Sequence, residues 1–157
     1  MIYSTATVAV NPDGEHPLTR QQAWAGLVLK ARDARLFLPP GLCTRCEVVE
    51  EGAGHIVREA TIGGQDLREI ISFDDAQKVS FFQAGGPREG VIVNELFEDA
   101  GGALQLGFYC YLGLRGKTPG GAEEQSEQAM MDSGQGYRAA LLSTLKRTRE
   151  LLADGRL

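Results

Sequence analysis

A chain of 157 residues, 43% hydrophobic and 24% charged, has the size and composition of one globular domain with its own core. Its net charge of −5 argues against a general binder of phosphate backbones, and no apolar run is long enough to span a bilayer. Three cysteines are an odd count and too few for a disulfide scaffold, and MIYSTATVAV carries no basic, apolar leader pattern, so the expectation is a reduced, cytoplasmic protein.

Tyr3 to Val10 mixes Ser, Thr and apolar residues of strong β propensity and reads as a strand, broken by Asn11-Pro12-Asp13-Gly14. Thr19, with Gln22 three residues on, has the spacing of a capping box, and Trp24, Leu27, Val28 and Ala31 give the helix that follows a buried stripe. A second short helix or turn covers Asp33 to Leu38 and ends at Pro39-Pro40-Gly41. The pattern then switches to period two, with strands over Arg45–Glu51, His55–Ile62, Gln65–Phe73, Lys78–Ala84, Gly90–Glu98 and Ala103–Arg115. Short separators rich in Gly and Asp, such as Gly63-Gly64 and Ala100-Gly101-Gly102, make these an antiparallel meander.

After the hinge Lys117–Gly121, Glu123 to Leu152 contains no proline and keeps a helical beat. Met130, Gly134, Tyr137, Leu141, Leu145, Thr148 and Leu152 fall on one stripe of a single helix, about 45 Å long. Acidic residues at its start and basic ones near its end suit the helix dipole. Gly134 and Gly136 each cost about 1 kcal/mol within a helix, so they mark a bend, leave room for a ligand, or allow close packing.

This order, with Asn11-Pro12, Pro17-Leu18-Thr19, Trp24-Ala25-Gly26-Leu27, Cys46-Glu47-Val48, Arg58-Glu59 and Arg68-Glu69, resembles the AtaL-like family of the START and birch-pollen-allergen superfamily. The resemblance covers nearly the whole chain. It implies one α+β domain over residues 1–157 with a helix-grip fold: a curved seven-stranded antiparallel sheet around the C-terminal helix, two short helices after the first strand, and a cavity between sheet and helix. Its motifs are patterns of fold and pocket, not a catalytic signature.

Turn chemistry then assigns faces. Gly63-Gly64 suits a two-residue type I′ turn, which sets Ile62 opposite Gln65, Ala60 opposite Leu67, Arg58 opposite Glu69 and Ile56 opposite Ile71 on the more apolar, inward face. Glu59 and Arg68 then form a solvated outer pair. The same treatment of Gly101-Gly102 sets Phe97 opposite Leu106, Glu95 opposite Phe108 and Val93 opposite Cys110 on an inward face, with Asn94, Tyr109 and Tyr111 outside; a one-residue slip would exchange these faces. The candidate ligand-binding set is Arg58, Glu69, Phe81, Val93, Glu95, Phe108, Cys110, Met130 and Tyr137. Buried charges need a partner, water or a ligand; the plain alternative is that these sit near the sheet ends and reach water.

No cofactor or metal is expected. Cys43 and Cys46 have C-x-x-C spacing without the second pair of a zinc ribbon, and Gly116-Lys117-Thr118 lacks the rest of a phosphate loop. His16 and His55 lie apart, and there is no nucleophile elbow. The leading expectation is a protein that binds a small hydrophobic or amphipathic molecule, with Arg58 meeting its anionic or carbonyl end, and no nucleic acid or membrane insertion. One alternative is a polyketide cyclase or aromatase with Glu69 or Glu95 as base and Arg58 stabilising an oxyanion. Another is a protein-interaction module.

Overall fold

The computed structural model describes residues 1–133 and 136–157. The period-two segments become β1 (Ile2–Ala9), β2 (Cys43–Gly52), β3 (His55–Ile62), β4 (Gln65–Asp74), β5 (Lys78–Gly85), β6 (Arg88–Glu98) and β7 (Leu104–Leu114). They form one antiparallel sheet in the order β1-β7-β6-β5-β4-β3-β2. The helical segments become α1 (Arg20–Arg32), α2 (Ala122–Asp132) and α3 (Tyr137–Ala153), while the expected second short helix is a 3₁₀ turn over Ala34–Leu36. None of the described helices is long and apolar enough to cross a membrane.

Local chemistry fixes where α1 begins and what it meets. Asn11 both donates to Leu18 O (2.9 Å) and accepts from Leu18 N (2.7 Å), closing the loop that precedes the helix. The Thr19–Gln22 capping box forms in both directions. Gly26 then lets α1 approach α3: a Cβ there would lie 2.2 Å from Thr148 Oγ1, and Thr148 is fully buried. Arg149 near the end of α3 donates to Val10 O (2.6 Å) and His16 O (2.7 Å), tying the same loop down.

The Gly63-Gly64 hairpin has the expected register. Both glycines have positive φ, 58° and 76°, and Arg58 faces Glu69 while Glu59 faces Arg68. The β6–β7 hairpin does not: Asn94, not Glu95, pairs with Phe108, and Ile92, not Val93, pairs with Cys110. The loop there has three residues, with Gly102 alone at positive φ (81°) and Asp99 N bonded to Ala103 O. Asp99 Oδ1 also accepts from Gly101 N and Ala103 N, both at 2.9 Å, and so holds the longer loop. Consequently β7 keeps its inward set of Leu106, Phe108, Cys110 and Leu112, whereas on β6 the inward residues are Ile92, Asn94 and Leu96. By the same register Val93 and Glu95 belong to the outer face, although Val93 is buried there.

The single long helix is the other correction. Ser133 turns its hydroxyl back onto Met130 O (2.7 Å), ending α2, and a Cβ at Gly136 would approach Met131 O to 2.9 Å. Gly134, part of the expected stripe and bend, lies outside the described residues. The interruption resets the helical phase: Met130 is 58% exposed and Met131 is the buried methionine. On α3 the stripe continues as expected through Leu141, Leu145 and Thr148, all buried, but it ends on Leu151 rather than the expected Leu152, which is only partly buried. Edge strand β1 is covered by the helices, since Gln128 bonds both Tyr3 N and Tyr3 O and Arg138 donates to Thr7 O.

Candidate functional site

Between the inward sheet face, α1 and α3 lies a cavity of about 340 Å³. Its apolar wall comes from Phe81 on β5, Ile92 on β6, Phe108 on β7 and Leu141 on α3. Tyr137 stacks on Phe108, with ring centroids 3.7 Å apart. Burial raises the Tyr137 phenol to about 12 against the opposing pull of Arg88, so it stays a protonated hydroxyl at neutral pH. A groove of about 380 Å³ also runs beside β1, but its wall contains no buried charged side chain, and the polar groups converge elsewhere.

Those groups are Lys30, Arg58, Glu69, Arg88 and Asn94. Arg58 and Glu69 meet as the β3–β4 register requires, both buried. Arg58 Nε donates to Glu69 Oε2 (3.0 Å), and Nη2 donates to the same oxygen. Arg58 Nη1 reaches across to the C-terminal end of α1, donating to Lys30 O (3.1 Å) and Ala31 O (2.9 Å). Helix ends leave such carbonyls without intrahelical partners, so a cation there suits both hydrogen bonding and the dipole. The guanidinium carbon stands 5.6 Å from the centroid of the Phe81 ring. Glu69 Oε1 accepts from Gln83 Nε2 (3.0 Å). All three guanidinium nitrogens and both carboxylate oxygens are thus engaged within the protein. The pair fastens the sheet to α1, as buried charges require.

Arg88 is paired with Glu127 of α2. Lys30 is different: its Nζ donates to Thr144 Oγ1 (3.0 Å), and among the described residues no carboxylate pairs with it. Burial, and secondly the charge of Arg58, lower its pKa to about 8.

Of the residues singled out from the sequence, Arg58, Glu69, Phe81, Phe108 and Tyr137 border this cavity. Cys110 is fully buried on the inward face without bordering it. Val93 and Glu95 fall on the outer face by the β6–β7 register, and Met130 is turned to solvent by the break before α3. Sequence reasoning missed Lys30, Arg88, Ile92 and Asn94. Lys30 had a signal, because it follows Ala23 and Leu27 at helical spacing, on the buried side of α1.

Residues 4–155 match the family model described as acetylaranotin biosynthesis cluster protein L. Among curated proteins no match is found. Of the solved structures, the Zhui aromatase/cyclase from Streptomyces sp. R1128 superposes with a TM-score of 0.65 at 17% identity, covering 96% of this chain and 94% of that one. Ara h 8.0201 superposes with a TM-score of 0.57 at 13% identity, covering 94% and 97%. The di-domain ARO/CYC StfQ from the steffimycin biosynthetic pathway gives 0.66 at 9% identity, covering 98% of this chain and 51% of that protein. At such identities the likeness is one of fold, and the fold is the helix grip.

Proposed function

The chain belongs to the acetylaranotin biosynthesis cluster protein L family, and from its cavity we propose that it binds one small, mostly apolar molecule with a polar end between the sheet and α3. What carries this reading is a cavity of about 340 Å³, at the small end of ligand pockets, walled by aromatic and aliphatic side chains with a few polar groups converging on it. Such a volume is the opposite of the filled interior that would favour a protein-interaction module.

The names of the Zhui protein and StfQ support a second reading, a cyclase-type reaction in the same space. Its expected acid–base groups are not free, however. Glu69 has both oxygens engaged, Arg58 has all three nitrogens engaged, and Glu95 lies on the outer face. Binding therefore stands ahead of catalysis.

Native mass spectrometry of the purified protein tests the proposal. A non-covalent small-molecule adduct is expected, lost on denaturation. Ile92→Trp should remove it by filling the cavity, at about 1–3 kcal/mol of overpacking, while Val91→Trp on the outer face should keep it. No adduct on the wild type, or one indifferent to Ile92→Trp, would contradict the reading.

A further inference from the structure

We infer that the ligand of this cavity carries an ionised carboxylate and that Lys30, not Arg58, is its counter-charge; the inference rests on the proposed binding function and names its substrate class. Three cations border the cavity: Lys30 from α1, Arg58 from β3 and Arg88 from β6. Arg58 is neutralised by Glu69 and Arg88 by Glu127. Lys30 is left with a hydroxyl. The Thr144 hydroxyl that accepts from it gives its own hydrogen to Ala140 O (2.8 Å), so one of the three ammonium hydrogens is placed and two remain. The negative end of α1 offers no compensation, because Arg58 already occupies the carbonyls of Lys30 and Ala31. A cation held beside another cation, on an apolar wall and without an anion, is a site that an incoming anion completes.

Lys30 is half-buried, as a residue bordering an open space should be. Its ammonium is nevertheless desolvated, and its depressed pKa of about 8 is the expected mark of a charge without a partner. A bound carboxylate would raise that pKa again. By linkage the carboxylate then binds best below pH 8 and loses affinity as Lys30 gives up its proton above it. The other titratable groups bordering the cavity are Arg58, whose charge acts on the amine, Glu69, Arg88 and Tyr137, the last held as a phenol near 12 and silent in this range.

The test compares 2-naphthoate and decanoate with their uncharged amides by titration calorimetry on the full chain. The wild type should bind each acid on the order of tenfold or more tightly than its amide at pH 7, and the preference should shrink by a similar factor at pH 9.5. Lys30→Met should abolish the preference, whereas Lys30→Arg should retain the preference and lose its pH dependence. The wild-type pH profile stands without any variant, so a misfolded Lys30→Met does not remove the test. Acid and amide binding equally, with flat pH profiles, would overturn the charge assignment and leave the cavity reading intact. Neither acid nor amide binding would overturn both.

Discussion

The hairpins β3–β4 and β6–β7 each turn on a Gly-Gly pair, yet one is a two-residue loop and the other a three-residue loop. In the first, Gly63 and Gly64 both occupy the left-handed region, and the strands separate from Ile62 and Gln65 outward. In the second, Gly102 alone does so, and the carboxylate of Asp99, one position before the loop, collects the amides of Gly101 and Ala103. One extra residue moves every β6 side chain to the opposite face. Arg58 and Glu69 therefore point inward as a pair, Asn94 points inward, and Glu95 points out. The dipeptide alone does not choose the loop; the side chain beside it does.

Three measurements break or sharpen this contrast. The largest effect is expected at the inward pair of the first hairpin. Arg58→Met strands the Glu69 carboxylate and frees two α1 carbonyls, so urea unfolding should show a loss of about 3–5 kcal/mol. Adding Glu69→Leu should recover much of it, through a coupling that a double-mutant cycle reads directly. A cost below about 1 kcal/mol for the single variant would mean that the pair is not what holds β3 to α1.

The turns themselves come next. Alanine at Gly63, Gly64 or Gly102 should cost about 1–2 kcal/mol each, because a Cβ is forced into the left-handed region. Gly101→Ala should stay within about 0.5 kcal/mol, since that residue has ordinary φ and its Cβ would meet only Asp99 Oδ1 at 3.4 Å. Equal costs at Gly101 and Gly102 would return β6–β7 to a two-residue turn. The smallest effect is expected at Glu95, where Glu95→Gln on the outer face should change stability by less than about 0.5 kcal/mol. The inward alternative, a buried charge beside Phe108, would make that change far larger.

The meander from β2 to β7, the α1 capping box and most of the α3 stripe could be read from the sequence because each follows from local chemistry, whereas the place of β1 beside β7 does not. The β3–β4 face was readable because two adjacent glycines matched one turn type. The β6–β7 face was not, because both faces of these strands are apolar and the deciding hydrogen bonds come from Asp99. The helix phase across Ser133 and Gly136 failed for a related reason: a stripe extrapolated through a break loses its phase, and Met130 and Met131 exchanged places. At the site, Arg58 and Glu69 could be placed but not their saturation, which depends on α1 carbonyls and Gln83 brought from other elements. The spacing puts Lys30 on the buried side of α1, but that its amine meets, among the described residues, only the Thr144 hydroxyl depends on α3 and is not legible in the sequence.

The most direct test of the account is methyl-resolved NMR of the protein titrated with 2-naphthoate. Contacts between the naphthalene protons and the methyl groups of Ile92, Leu38 and Leu141, with none to Val91 or Val93, are what a ligand between sheet and α3 requires. Contacts confined to Val91 or Val93 would place binding on the outer face of the sheet and contradict it.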